Sequence, residues 1–133
     1  MRVFLIDADA RFLRHFERQL QAVAETQVVG SERDPRLALE RVPALAPDVV
    51  FLDVLLPGMS GIGLANTLLE ALPELQIVYV TRARQYALQA FNQQAADYLL
   101  KPVEPLRLAR SIDRLRRMRA ERTELRASQL ERD

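Results

Sequence analysis

The feature that most constrains this chain is an alternation: five short apolar runs, each followed by a segment of helical period. The runs are RVFLI (2–6), QVVGS (27–31), DVVFL (48–52), QIVYV (76–80) and DYLL (97–100). They are short and mostly β-branched or aromatic, as strands buried on both faces should be. Between the first two, Leu13, Phe16, Leu20 and Val23 recur at three- and four-residue spacing and make one apolar stripe on a helix. Leu37, Ala38, Arg41, Val42 and Leu45 make a weaker second helix, opened by Asp34 as N-cap and Pro35 in the first turn. Ile62, Ala65, Leu68, Leu69 and Leu72 make a third, stopped at Pro73, and Tyr86, Ala87, Ala90 and Phe91 a fourth. Leu108, Ile112 and Leu115 start a fifth. Strands alternating with helices are repeated βα units, so the expected fold class is α/β, a doubly wound parallel sheet of five strands with five helices.

A chain of 133 residues is one domain's worth. After Leu115 the apolar positions thin to Met118, Leu125 and Leu130, which is too polar a helix to bury alone. The expected organisation is a domain over 1–118 and, over 119–133, a helical linker or weak coiled coil leading toward an output domain absent from this chain. The absence of cysteine rules out disulfide and thiolate chemistry, and a single histidine, His15 at the edge of the first helix's stripe, argues against a histidine-rich metal site. No apolar run reaches the roughly 18 residues of a spanning helix, and a first strand starting at Arg2 leaves no room for a signal peptide. A soluble, cytoplasmic protein is expected. From Arg107 onward nine arginines face five acids, a local +4 that leaves −3 for the body of a chain whose net charge is +1. Asp113, Glu121 and Glu124 are interleaved with those arginines, the pattern of a solvated helix face more than of a nucleic-acid surface.

Four of the five runs end in a polar group: Asp7, Asp53, Thr81 and Lys101. In an open parallel sheet the C-terminal strand ends lie on one edge, and ligands bind there where the strand order reverses. Two carboxylates, a hydroxyl and an ammonium therefore converge on one crevice, with Asp9 close by. Clustered carboxylates attract a cation, and hard oxygen ligands favour magnesium. A lysine and a hydroxyl opposite them suit anionic oxygens, so the set describes a phosphoryl site, where positioning and charge neutralisation carry the chemistry. Lys101 is the only lysine, the other 18 basic side chains being arginine. A compact ammonium on a thin stem fits a narrow anionic site where a planar guanidinium does not. Lys101 precedes Pro102, the one kind of bond at which a cis peptide is readily accommodated.

The segments FLIDADA, PDVVFLDVLLPGMSG, VYVT and DYLLKPV resemble the motifs of bacterial response-regulator receiver domains, the phosphoacceptor modules of two-component signalling, over essentially residues 1–118. The resemblance implies a flavodoxin-like strand order 2-1-3-4-5. It implies that Asp53 accepts a phosphoryl group from the phosphohistidine of a sensor histidine kinase. Magnesium would be held by Asp7, Asp53 and the backbone carbonyl of Leu55, and Thr81 and Lys101 would contact the phosphoryl oxygens. Tyr98 would be the aromatic that turns inward as Thr81 moves, although a half-buried strand aromatic explains it equally well. Such a module is a signalling phosphoacceptor with at most self-dephosphorylation, not a turnover enzyme. The implied homodimer forms through the fourth helix, fifth strand and fifth helix, and DNA is reached only through an output domain. QYALQAF and DYLLKPV are most similar to regulators whose output is a LytTR-type DNA-binding domain.

Two positions depart from the family pattern. Where a second acid usually follows the first and touches the metal, this chain has Ala8; Asp9 either substitutes for it or serves as N-cap of the first helix. Where a small residue usually follows the threonine, this chain has Arg82, whose guanidinium could cover the pocket or pair with Asp53. These departures motivate an alternative, an atypical receiver that serves as a phosphorylation-independent dimerisation or protein-binding module. A remote alternative is a haloacid dehalogenase-like phosphatase with Asp7 as nucleophile and Asp9 as acid. It leaves Asp53 and LPG unexplained, and Arg11 stands where that family wants threonine or valine.

Overall fold

In the computed structural model, which describes residues 1–132, the apolar runs become strands whose burial follows their place in the sheet. The elements are β1 (Arg2–Ile6), α1 (Ala10–Gln21), β2 (Gln27–Glu32), α2 (Pro35–Leu45), β3 (Val49–Leu52), β4 (Leu55–Leu56), β5 (Met59–Ser60), α3 (Gly61–Ala71), β6 (Gln76–Thr81), α4 (Ala87–Asn92), β7 (Asp97–Leu100) and α5 (Pro105–Arg132). The main sheet is parallel with the order β2-β1-β3-β6-β7. Counting only its own five strands, this is 2-1-3-4-5, the flavodoxin-like order expected. The inner strands β3 and β6 are buried throughout, whereas the edge strand β2 is only partly covered.

Alternate strand residues separate the two faces. Phe4, Ile6, Val50, Leu52, Ile77 and Tyr79 share one cluster with Ala38 and Val42 of α2 and Leu64, Ala65 and Leu68 of α3. On the other face the Phe51 ring meets Phe16 of α1 edge-on, centroids 5.3 Å apart. The strands therefore hold their ends rigidly, which is what a site on those ends requires.

The differences from the sequence reading are local. Val23 lies beyond α1, which ends at Gln21 with Ala22 as its cap. Tyr86 occupies the N-cap position of α4 and is not within it. β4 and β5 form a two-residue antiparallel ladder around the turn at Gly58, whose φ is +73°. Asp34 caps α2 through the Arg36 amide, as expected, and the Lys101–Pro102 peptide is cis. The chain divides into two units, Met1–Val103 and the segment from Glu104 onward. The second unit is the single helix α5, which runs without a break past Met118. No helix among the described residues is long and apolar enough to cross a membrane.

Candidate functional site

The chain leaves β1 for β2 on one side and returns to β3 on the other, so the reversal of strand order opens between the ends of β1 and β3. The first residue past β1, β3 and β7 is pinned by continuing the ladder, and Thr81 is the last residue of β6 itself. The Asp53 amide donates to the Ile6 carbonyl (3.1 Å), the Asp7 amide to Glu32 (3.2 Å) and the Lys101 amide to Thr81 (2.9 Å). Backbone hydrogen bonding thus places the four predicted strand-end residues before any side chain takes part.

The side chains of Asp7 and Asp53 meet on Lys101. Its Nζ donates to Asp7 Oδ2 at 2.7 Å and to Asp53 Oδ2 at 3.0 Å. The other oxygen of each carboxylate accepts a nearby amide, Asp9 N–H to Asp7 Oδ1 (2.9 Å) and Leu55 N–H to Asp53 Oδ1 (3.0 Å). The three side chains are 9%, 4% and 11% exposed for Lys101, Asp7 and Asp53, so the ion pairs are shielded from water. Burial pushes the Asp7 carboxyl above its ordinary range, against the hydrogen bond from Lys101, which lowers it. The Lys101 ammonium also lies over the Phe12 ring, 4.1 Å from its centroid.

Thr81 is fully buried, and its Oγ1 accepts the Ala83 amide at 3.3 Å. Tyr98 is partly buried, and its hydroxyl donates to the Ala83 carbonyl, in the loop that Thr81 begins. Burial, and after it the charge of Asp53, raises the Tyr98 hydroxyl's pKa. Leu55 stands in the short ladder opposite Ser60. His15 is exposed on α1.

At the departures, the side chain of Asp9 accepts the amides of Arg11 and Phe12 and caps α1. Those two bonds hold its carboxyl below the usual range. Arg82 is exposed, and among the described residues the ion-pair partner of Asp53 is Lys101. Ala8 contributes its carbonyl, which accepts Arg33 Nε–H at 2.9 Å. Among the described residues no group of three or more His, Cys, Asp or Glu side chains is placed to hold a metal. Two carboxylates with a main-chain carbonyl are nevertheless an all-oxygen donor set, and magnesium is commonly held through one or two carboxylates while keeping several waters. The residues fit such an ion, held thinly.

Three contributors were not foreseen from sequence. Gly61 donates its amide to Val54 at 2.8 Å, and a Cβ there would lie 2.1 Å from the Asp53 carbonyl oxygen. Only glycine lets α3 begin this close to the strand end; the motif LPGMSG was the available signal. Phe12 lies under Lys101, as described. Tyr79 donates to Gln93 Oε1, and Gln93 Nε2 donates to Ile62 O (3.0 Å) and Asn66 Oδ1 (2.8 Å), a polar tie from β6 through the end of α4 to α3. Burial raises the Tyr79 hydroxyl's pKa far above its ordinary value.

The family profile "response regulator receiver domain" matches residues 3–113. A response regulatory protein of Vibrio cholerae is 46% identical over 115 residues, 85% of this chain and 47% of that protein. The transcriptional regulatory protein BtsR of Escherichia coli is 32% identical over 120 residues, 90% of this chain and 50% of BtsR. The chain therefore spans about half the length of these curated relatives. Among solved structures, the response regulatory domain of mrkE from Klebsiella pneumoniae superposes with a TM-score of 0.82 at 24% identity, covering 89% of this chain and 97% of that one.

Proposed function

Because the chain belongs to the response-regulator receiver domains of two-component systems, we propose that Asp53 is its phosphoacceptor and a histidine kinase its donor. The observation that carries this reading is the convergence of Asp7, Asp53 and one shielded ammonium at the reversal point of the sheet. In the transfer, an Asp53 carboxylate oxygen forms a bond to phosphorus as the phosphorus–nitrogen bond of the phosphohistidine breaks. The electron pair returns to the imidazole nitrogen, which takes up a proton from solvent. Lys101 exchanges a carboxylate partner for a phosphoryl oxygen, and Thr81 offers its hydroxyl to another. Tyr98 follows the loop through its bond to the Ala83 carbonyl. Magnesium, held by Asp7, Asp53 and the Leu55 carbonyl, supplies neutralising charge and orientation for the phosphoryl oxygens when bound. With Asp53 as acceptor the strand-end acid Asp7 has a supporting role, and the haloacid dehalogenase assignment of Asp7 as nucleophile is set aside by the family match.

The output of the whole protein is proposed to be DNA binding through a LytTR-type domain reached by α5, with homodimerisation through α4 and the elements that follow it. Leu88 and Phe91 of α4 are exposed at 70% and 76%, which supports an interface there. A second reading, a phosphorylation-independent binding module, is favoured by one observation: Ala8 supplies no carboxylate and Asp9 is committed to capping α1.

Intact mass after incubation with magnesium and acetyl phosphate decides between them. A labile single-phosphoryl adduct on the wild type, absent from Asp53→Asn, is expected. No adduct under conditions that label another receiver domain refutes the phosphoacceptor reading and leaves the binding module.

A further inference from the structure

We infer that Phe12 is a positioning residue for Lys101, its ring holding the ammonium over the two carboxylates; the functional side of this inference rests on Asp53 as acceptor. The Nζ stands 4.1 Å from the ring centroid, close enough for the attraction between a cation and the negative face of an aromatic ring. The ring is itself braced. It stacks on Phe16 with centroids 5.3 Å apart at 17°, and Phe16 meets Phe51 edge-on at 5.3 Å and 72°. Phe16 and Phe51 are buried, and Phe51 lies two residues before Asp53 on β3. One aromatic column therefore runs from the core to the ammonium and is tied to the strand that carries the acceptor.

Little solvent reaches the contact. The space beside the ring, bounded by Asp7, Phe12, Phe16, Phe51 and Asp53, is too tight for a water molecule. The Lys101 side chain is itself only 9% exposed, so little solvent competes with the ring for the ammonium. Its other partners, Asp7 and Asp53, are the groups whose charge changes when phosphoryl arrives. Lysine carries its charge on a flexible four-carbon stem, so an ammonium released by Asp53 is free to swing. Transfer leaves the ring contact unchanged, and the ring keeps Nζ where a phosphoryl oxygen on Asp53 appears. A leucine at position 12 would fill similar volume without the ring's electrostatic face.

Because Lys101 is the only lysine, lysine-selective isotope labelling reports on it alone. Proton shifts of its Cε and Nζ groups are to be compared in wild type, Phe12→Leu and Phe12→Tyr, together with rates of adduct formation from acetyl phosphate. An upfield ring-current shift is expected in wild type and Phe12→Tyr and is expected to vanish in Phe12→Leu. Phe12→Leu should label about tenfold more slowly, near 1.4 kcal/mol, while Phe12→Tyr stays near the wild-type rate. An unshifted Lys101 in wild type overturns the inference, and does so even if Phe12→Leu cannot be folded. Wild-type labelling rates in Phe12→Leu overturn it as well. If no protein labels but the shift is present and lost in Phe12→Leu, the positioning of Lys101 stands and the acceptor reading fails.

Discussion

Replacing Lys101 with methionine keeps the length and apolar stem of the side chain and removes the one cation in the crevice. At 2.7 and 3.0 Å the two ion pairs each represent roughly 5–6 kcal/mol of attraction at an effective dielectric constant of about 20. Much of this offsets the cost of taking three ions out of water. Truncating one partner of a shielded pair typically costs roughly 3–5 kcal/mol, because the remaining charge stays buried and uncompensated. Here two carboxylates are left, and their relief is protonation. Asp7 is the one that takes the proton, since burial already raises its pKa, and losing the hydrogen bond and charge of Lys101 raises it further. A carboxyl whose folded pKa lies above its unfolded value contributes stability at low pH, and this is lost as pH rises through the folded pKa. Lys101→Met should therefore approach wild-type stability near the ordinary carboxylate pKa of about 4 and fall roughly 3–5 kcal/mol short of it by about pH 8. Urea unfolding followed by far-UV circular dichroism across that range measures the difference. Adding Asp7→Asn should recover most of the loss at the alkaline end. A deficit that does not change with pH, or one below about 1 kcal/mol at the alkaline end, refutes the reasoning, since it would mean that the crevice is wet enough to screen its own charges.

Gly61→Ala brings a methyl group to 2.1 Å from the Asp53 carbonyl oxygen and 2.8 Å from Val54 Cα, both main-chain atoms that cannot rotate away. It should cost at least about 2 kcal/mol by thermal melting and slow labelling of Asp53, although no polar group is removed. Gly58→Ala is the control: its Cβ meets nothing within 4 Å, so left-handed backbone strain of about 1–2 kcal/mol should lower the melting temperature and leave labelling alone. Equal labelling losses at the two sites would contradict the close approach at Gly61. Tyr79→Phe strands Gln93 Oε1 beneath α4 and should cost about 1–3 kcal/mol, with faster amide exchange in α4. Unchanged exchange there would show that the tie does not restrain the helix.

What could be read from the sequence was whatever the parallel sheet determines without further help. Strands that run the same way must present their C-terminal ends on one edge, so Asp7, Asp53, Thr81 and Lys101 could be grouped from the positions of the apolar runs alone. The capping role of Asp34 was equally readable, because a cap acts within a few residues of itself. Asp9 was ambiguous for a physical reason: capping and metal binding ask for the same side chain at the same position. The structure shows its carboxylate on the Arg11 and Phe12 amides. Gly61, Phe12 and the Tyr79–Gln93–Asn66 tie were not readable. The need for glycine at 61 comes from the approach of Asp53's main chain, and Phe12 earns its place only once α1 brings it over an ammonium 89 positions later. The β4–β5 ladder is too short for any periodicity to register. Arg82 could be assigned two contacts from sequence, and it is exposed.

Ala8 changes the electrostatics of the crevice in two opposed ways on the proposed reading. A carboxylate at that position would add a third negative charge beside Asp7 and Asp53, and at about 5 Å and an effective dielectric constant of about 20 each such pair repels by roughly 3 kcal/mol. Its absence leaves two carboxylates and one ammonium, a crevice with one net negative charge where a third carboxylate would leave two. A divalent cation is drawn less strongly into such a site, because it finds fewer ligands and part of their charge already spent on Lys101. An anionic phosphodonor, however, is repelled less by the same margin. The demand for a second cation therefore arises mainly once the phosphoryl charge has been added. Until then the site depends on keeping its single ammonium in place, and the braced ring of Phe12 meets that requirement with no charge of its own.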